Sequence, residues 1–142
     1  MNYRTGIWID GSKAIIVKLN NSIESVIELK SNIETAVHHE NDIDKSIFMG
    51  KKHITKENKF EERRKHQTAQ FLKKIIETSK NSAELFVFGP GNLKTQLRDF
   101  ILKDKMLAVK LKAVETADSQ TLEQIIAHVK AYFMHASKSK SL

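Results

Sequence analysis

Three carboxylates follow predicted strands, where a metal-dependent nuclease would place its ligands. Asp10 follows an early apolar run, while Glu115 and Asp118 follow a later one. Carboxylate oxygens bind Mg²⁺, and a pair of such ions can assist cleavage of a phosphodiester. Turn chemistry accounts for Asp10, which precedes Gly11-Ser12, and helix capping accounts for Asp118. We favour these structural roles and predict no metal site, with the metal-dependent nuclease kept as an alternative.

The remaining residue types offer no recognisable catalytic set. The chain has no cysteine, which excludes disulfides, thiol nucleophiles and cysteine-ligated zinc. Its six histidines lack the spacing of a zinc site, and we predict that all of them lie at the surface. No serine or threonine lies in a nucleophile-elbow motif. We therefore predict no catalytic residues and no cofactor, and we favour a protein that is not an enzyme.

A glycine-rich turn offers a second kind of chemistry. Gly89-Pro90-Gly91 follows an apolar run and precedes a predicted helix that contains Lys94. The exposed N–H groups and the dipole at a helix N-terminus attract anions. The motif is not a P-loop, because its spacing differs and no Lys-Ser or Lys-Thr pair ends it. We interpret the turn as structural first, and phosphate binding by Gly89, Gly91 and Lys94 is a secondary hypothesis.

The positive charge is concentrated in one segment. The net charge is +7, and residues 51–74 contain 9 basic and 3 acidic residues, whereas residues 1–50 contain 5 and 7. Such a stretch predicts either a phosphate-bearing partner or a solvated helix face. Phe60 is the one aromatic residue over positions 51–65, so base stacking should contribute little. The candidate RNA-binding residues are Lys51, Lys52, His53, Lys56, Lys59, Arg63, Arg64 and Lys65.

The strands and helices that must position these residues begin with a meander. Apolar patterns predict strands over residues 6–10, 13–19 and 23–29. The turn signals Gly11-Ser12 and Asn20-Asn21-Ser22 separate them. Because short turns join successive strands, the three strands should be antiparallel.

A long connection and a helix follow the meander. Residues 42–57 show no periodicity and are predicted as a basic loop. Asn58 has capping-box spacing to Glu61, which predicts a helix from there to about Lys80, with Asn81 as a left-handed terminator. The first half of this helix is polar on every face, so we expect it to project into solvent or onto a partner.

The C-terminal half alternates strands and helices. The uncharged run Leu85–Phe88 is typical of a central strand buried on both faces. A helix to Lys103 and a strand over Leu107–Val114 follow, and Asp118 or Ser119 is the predicted cap of a last helix. The predicted buried stripe of that helix is Leu122, Ile125, Ile126, Val129 and Phe133.

The order β-β-β-α-β-α-β-α predicts the fold class. A meander followed by right-handed crossovers gives an α/β domain with ribonuclease H-like, three-layer topology, in which three helices flank a mixed five-stranded sheet. We predict one domain over residues 1–135 and a flexible tail over residues 136–142. No apolar run approaches a membrane span and no signal peptide is recognisable, which predicts a cytoplasmic protein without a membrane partner. The sequence does not decide whether the chain forms homo-oligomers.

Three groups of residues carry a family resemblance. They are Trp8-Ile9-Asp10 with Lys13-Ala14, Phe88-Gly89-Pro90-Gly91 with Lys94, and Val114-Glu115-Thr116-Ala117-Asp118. With these motifs the chain resembles the middle domain of archaeal and eukaryotic class-1 peptide chain release factors and of the ribosome-rescue factor Pelota. It looks more closely like short bacterial proteins that consist of this domain alone. The resemblance covers nearly the whole chain.

The resemblance implies a scaffold more than an activity. In the release factors a Gly-Gly-Gln tripeptide, between the meander and the long helix, promotes hydrolysis of peptidyl-tRNA on the ribosome. This chain contains no Gly-Gly-Gln, and Met49-Gly50-Lys51-Lys52-His53 stands at the matching place. Nor does the resemblance imply stop-codon decoding, since no codon-reading domain is recognisable. We expect a non-catalytic, translation-associated protein that binds structured RNA, on tRNA or the ribosome. A protein-interaction module that binds no nucleic acid is the other alternative.

Overall fold

Five strands and four helices form the part of the chain that the structure describes. The computed structural model describes residues 3–21, 23–35 and 50–140, and within the last range it describes side chains for residues 58–135. The strands are β1 (Tyr3–Ile9), β2 (Lys13–Asn20), β3 (Ile23–Lys30), β4 (Ser82–Gly89) and β5 (Leu111–Thr116). The helices are α1 (Gly50–Ser79), α2 (Leu93–Lys103), α3 (Lys105–Ala108) and α4 (Leu122–Lys140).

The strands form one mixed sheet in the order β3-β2-β1-β4-β5. β2 pairs antiparallel with both β1 and β3, and Ile7 lies opposite Ile16 in the first of these pairs. β4 pairs parallel with both β1 and β5. The predicted α/β class, the N-terminal meander and the mixed five-stranded sheet are therefore confirmed. This strand order is compatible with the predicted ribonuclease H-like topology.

β1 and β4 lie side by side at the centre of the sheet. The side chains of Ile7, Trp8 and Ile9 are at most 1% exposed, and those of Leu85–Phe88 are no more exposed than that. Strands with apolar residues on both faces are stable only where both faces of the sheet are covered. The prediction that Leu85–Phe88 is a central strand with residues 7–9 beside it is confirmed.

Helices cover the two faces of the sheet and make three layers. On one face, the β1 residue Ile7 and the β4 residue Val87 pack in a cluster with α1 and α2, which contribute Phe71, Leu72, Ile75, Leu97 and Ile101. On the other face α4 contributes Ile125, Val129 and Phe133 to a cluster with Trp8, Phe86 and Phe88. Gly6 allows this close packing, because a Cβ atom there would lie 2.3 Å from Val129 Cγ2.

The long helix begins at Gly50, well before the predicted start at Asn58. Residues 50–57 therefore form the first two turns of α1, and their prediction as a loop is wrong. Lysine and glutamate are good helix formers, and no proline interrupts this stretch. Helix propensity thus extends α1 into a region without a detectable apolar period. The rest of the predicted loop, residues 42–49, lies outside the described residues.

The end of α1 also differs from the prediction. The helix ends at Ser79, and Asn81 does not take a left-handed conformation. Among the described residues other than glycine, positive φ values occur at Asn21 and Asn32, both at 53°. Asn81 instead accepts a hydrogen bond at its Oδ1 atom from Lys18 Nζ, at 3.0 Å. Its side chain therefore ties the turn after α1 to β2.

A short helix replaces the start of the last predicted strand. Asp104 Oδ1 accepts hydrogen bonds from the backbone N–H groups of Met106, at 3.0 Å, and Leu107, at 3.4 Å. This cap starts α3, so β5 begins at Leu111 and not at Leu107. The part of the chain that the structure describes thus has four helices where the sequence predicts three.

The last helix begins and ends later than predicted. Its cap is Thr121, whose Oγ1 accepts from Gln124 N at 3.2 Å while Gln124 Oε1 accepts from Thr121 N at 2.9 Å. Leu122 is 49% exposed and does not belong to the buried stripe. α4 continues to Lys140, beyond the predicted domain boundary at residue 135, and the flexible tail stays a prediction. None of the helices in the described ranges has the length and apolar character to cross a membrane.

The contact between the ends of β1 and β4 can be tested at a glycine. Gly89 has φ of 149°, and an added Cβ would lie 2.2 Å from the carbonyl oxygen of Ile9. We expect Gly89→Ala to lower the free energy of unfolding by about 3 kcal/mol or more. Gly11→Ala is the matched control, because its Cβ meets nothing within 4 Å. Urea unfolding measures both variants, and equal stability would contradict the close approach.

Candidate nucleic-acid interface

One side of α1 faces solvent and carries most of its charge. A helix of 30 residues is about 45 Å long. One side of it packs on the sheet through Phe71, Leu72 and Ile75, and each of these side chains is at most 2% exposed. The opposite side is exposed and is called the basic face below. Its basic residues are Lys59, Arg63, His66, Lys73 and Lys74, with Gln70 among them, and the exposed acidic residues Glu62 and Glu77 lie on the same side.

Helical spacing extends this face towards the start of the helix. Position 52 lies seven residues before Lys59, and position 56 lies three residues before it, so both positions share that side of α1. Lys51, Lys52, His53 and Lys56 thus belong to the helix and not to a loop, while their side chains lie outside the description. The whole helix contains 9 basic and 4 acidic residues, a net charge of +5. The structure therefore places the basic segment within one continuous helix.

Arg63 is held in place by the chain segment that follows β3. Its Nε and Nη2 atoms donate to the two carboxylate oxygens of Glu34, at 2.8 and 3.1 Å. Gln67 donates to Glu34 Oε2 at 2.9 Å and accepts from the Glu34 N–H at 3.0 Å. The hydrogen bonds to Glu34 raise the pKa of Arg63 above its usual value. This part of α1 is therefore anchored to the segment after β3, a contact that the prediction of projection into solvent or onto a partner did not include.

Phe60 is buried although its sequence neighbours are polar. Its ring is 7% exposed, and the guanidinium carbons of Arg63 and Arg64 lie 5.9 and 5.8 Å from its centre. Arg64 is half-buried, and its Nε atom has no hydrogen-bond partner among the described residues. The structure therefore separates Arg64 from the exposed candidate residues Lys59, Arg63 and Lys65. The single aromatic residue in the polar segment was the signal in the sequence for this contact.

A groove beside α1 adds positive charge that the candidate residues do not include. It has a volume of about 520 Å³ and lies between α1 and the end of β3. Lys30, Lys73 and Lys74 line it, against a single acidic residue, Glu77. Lys30 is distant in sequence from the basic segment, so only the fold brings it to this surface.

Two of the three carboxylates of the nuclease alternative have structural partners. Asp10 Oδ1 accepts from Ser12 N and Lys13 N, both at 2.8 Å, and so closes the turn between β1 and β2. Glu115 lies 3.7 Å from His128 Nε2, and Asp118 is exposed. No group of three or more His, Asp or Glu side chains in the described ranges is placed to hold a metal ion.

The glycine-rich turn is explained largely by the backbone. Gly89 contacts β1 as described above, and its carbonyl oxygen accepts from Ala117 N at 3.1 Å. Gly91 has φ of 69°, a left-handed conformation that favours glycine. Lys94 Nζ donates to the carbonyl oxygen of Gly91, so its charge is directed back to the turn. Phosphate binding by Gly89, Gly91 and Lys94 together stays a prediction, with Lys94 already engaged.

The other face of the sheet holds an aromatic cluster around α4. Tyr132 stacks on Phe86 with 4.0 Å between ring centres, and His128 lies 4.4 Å from the ring of Phe88. His128 is half-buried, so the prediction that every histidine lies at the surface is wrong for it. Burial raises the pKa of Tyr132, and the negative charges of Glu115 and Glu84 raise it further.

Comparison with known proteins finds similarity in structure and not in sequence. No protein-family model and no curated protein sequence matches the chain. The structure is similar to that of Archaeoglobus fulgidus Pelota, with 17% identity, a TM-score of 0.49 and coverage of 91% of this chain and 31% of Pelota. It is also similar to an archaeal translation termination factor, with 14% identity, a TM-score of 0.48 and coverage of 98% and 42%.

Pelota and the release factors are the proteins whose middle domain the sequence motifs resemble. The chain spans 31% and 42% of the lengths of these two proteins.

The raised pKa of Tyr132 predicts a pH dependence of stability. In the folded protein Tyr132 keeps its proton to a higher pH than in the unfolded chain, whose tyrosines titrate near about pH 10. The folded state then binds more protons above that pH, so the free energy of unfolding falls as the pH rises. Tyr132→Phe removes this titration. We expect urea unfolding between about pH 9 and 11 to show a smaller decline in the variant than in the wild type, and equal declines would contradict the assignment.

Proposed function

We propose that the chain is a non-catalytic, cytoplasmic RNA-binding protein that works in translation, on tRNA or the ribosome. The observation that supports it is the basic face of α1, an exposed surface on a helix that is anchored by the sheet below it and by Glu34 beside it. Lys59, Lys73 and Lys74 have no carboxylate partner in the described ranges, so their charges are available to phosphates.

The mode of binding follows from the residue types. Lysines neutralise phosphates and release counterions, whereas sequence is read through contacts with bases. Phe60, the aromatic residue closest to the basic face in sequence, is buried and offers no stacking surface. We therefore expect recognition of the RNA backbone with little sequence preference, by Lys51, Lys52, His53, Lys56, Lys59, Arg63 and Lys65 with support from Lys73 and Lys74.

The assignment to translation rests on a different observation. The motifs of the sequence resemble the release-factor middle domain, and Gly50-Lys51-Lys52-His53 stands where those factors present their functional tripeptide. In this chain the same residues begin α1. By this resemblance, the positively charged start of α1 is the part of the chain that we expect to contact the ribosome.

A protein-interaction module is the second candidate, and exposed apolar side chains favour it. Leu102, Met106 and Val109 are 51%, 74% and 75% exposed around the short helix α3. Exposed apolar residues close together are typical of protein-binding surfaces. In this alternative the charges of the basic face would only keep the exposed side of α1 hydrated and would bind no RNA.

Removal of charge from the basic face tests the proposal. The triple variant Lys59→Gln/Lys73→Gln/Lys74→Gln should weaken binding of a tRNA transcript at low salt about tenfold or more. It should also flatten the dependence of log affinity on log salt by about 2 to 3, since each lost phosphate contact removes about 0.9. Fluorescence anisotropy between about 50 and 200 mM salt measures both quantities, and ribosome sedimentation from lysate shows the partner.

Two controls make this measurement specific. Lys103→Gln/Lys105→Gln/Lys112→Gln removes three exposed lysines elsewhere and should leave affinity and slope nearly unchanged. Glu34→Gln removes the carboxylate beside Arg63 and should tighten binding. If the wild type fails to bind tRNA and ribosomes even at low salt, the RNA proposal is wrong and the protein-interaction module replaces it.

The chain should also leave peptidyl-tRNA intact. The release factors that it resembles depend on a Gly-Gly-Gln tripeptide, and this sequence has none. Ribosomes that carry labelled peptidyl-tRNA should therefore release no peptide above background when the protein is added, while puromycin releases it as a control. Ribosome-stimulated release by the wild-type protein would contradict the non-catalytic assignment.

A further inference from the structure

A crevice of about 390 Å³ opens at the point where the strand order reverses. From β1 the next strand, β2, lies in one direction across the sheet, and from β4 the next strand, β5, lies in the opposite direction. β1 and β4 are parallel neighbours, so their carboxyl ends meet at this edge. In open α/β sheets, ligands bind in the crevice outside such a switch point. Gly11, after β1, and Gly91, after β4, both line it.

The crevice is positively charged and contains no carboxylate. Arg64 is the charged residue among those that line it, and the others are apolar, glycine, hydroxyl or amide residues such as Thr68 and Gln96. Glu61 lies with Arg64 along a neighbouring cleft but forms no ion pair with it. The guanidinium of Arg64 therefore has no negative partner among the described residues.

Arg64 lacks an acceptor that its position requires. Its Nε atom is buried and has no hydrogen-bond partner in the part of the chain that the structure describes. A buried, unpaired N–H group costs free energy, and for a charged group the cost is larger. An anion in the crevice, which Arg64 lines, would neutralise the charge of this guanidinium. This argument is independent of the turn and of the helix that begins there.

The other side of the crevice supplies further donors. Asn92 and Leu93 line it at the start of α2, and Asn92 makes no capping hydrogen bond with its side chain. The first N–H groups of a helix have no acceptor within the helix. Lys94, whose amine returns to Gly91, is not needed for the site. Donors from α1 and from α2 thus approach the crevice from two sides.

We propose that this crevice binds the phosphate group of a small phosphate-bearing molecule, such as a mononucleotide. Donors on two sides suit a tetrahedral anion, and the guanidinium fork pairs with phosphate oxygens. The volume falls within the range of small-molecule sites and exceeds that of a single anion, which leaves room for an organic group. The site goes beyond the RNA-binding proposal, because it lies off the basic face and uses Arg64 instead of the exposed lysines.

The test uses three probes and nuclear magnetic resonance of the full chain. Adenosine 5′-monophosphate and inorganic phosphate should shift the amide signals of Gly91, Asn92 and Leu93 and the Nε–H signal of Arg64, and adenosine should not. Tighter binding of the mononucleotide than of phosphate identifies an organic phosphate ester as the ligand. Equal binding of both probes identifies free phosphate as the ligand.

Variants separate this site from general attraction of anions. Arg64→Gln should weaken mononucleotide binding about tenfold or more through loss of a charge-assisted hydrogen bond. Gln96→Glu places a carboxylate in the crevice at nearly unchanged size, and should weaken binding similarly even if Arg64→Gln fails to fold. Lys65→Gln, an exposed charge next to Arg64 in sequence, is the control and should bind as the wild type does.

Two results would overturn the proposal. One is the absence of shifts at the crevice with millimolar phosphate and mononucleotide, and the other is equal affinity in wild type and Gln96→Glu, which indicates an adventitious ion only. The triple variant of the basic face should retain mononucleotide binding in full. Absence of mononucleotide binding at the crevice therefore does not contradict the RNA proposal. Absence of RNA binding likewise does not contradict the crevice proposal, which the crevice variants test.

Discussion

The parallel pairing of β1 with β4 is the constraint on which the rest of the structure depends. These strands are far apart in sequence, and the buried hydrogen bond between Thr5 and Ser82 joins residues 77 positions apart. Both strands are apolar on both faces, so each face of the sheet must be covered by helices. The long helix α1 connects β3 to β4 in the sequence, and it has to cross over β2 and β1 to allow this pairing. Its position is therefore a consequence of the strand order.

That crossing explains why α1 can carry so much charge. Only its C-terminal half contributes Phe71, Leu72 and Ile75 to the core. The N-terminal half extends beyond the main cluster and is held by Phe60 and by the Glu34 contacts with Arg63 and Gln67. A helix that is anchored at intervals needs no continuous apolar stripe. Its free side can then be basic at little cost to the fold.

The same helix presents two different electropositive surfaces. Successive residues of a helix point in different directions, so Arg63 is exposed while Arg64 is half-buried and borders the crevice. An exposed row of lysines attracts polyanions through many weak contacts, whereas a partly buried guanidinium favours one well-placed acceptor. Adjacent residues can therefore serve a large nucleic acid and a small ligand separately.

The sequence by itself determined the order of the elements, the central strands and the glycine turn, because apolar period and turn residues are local signals. It also identified the basic segment, since charge is read directly from composition. It could not place the start of α1, because helix propensity extends the helix there without an apolar period. It also could not place the helix cap at Asp104 that shortens β5. Only the tertiary structure decided which basic residues share a surface. It brought Glu34 to Arg63, moved Arg64 to the crevice and added Lys30 to the groove, because contacts between distant segments depend on how the chain crosses the sheet.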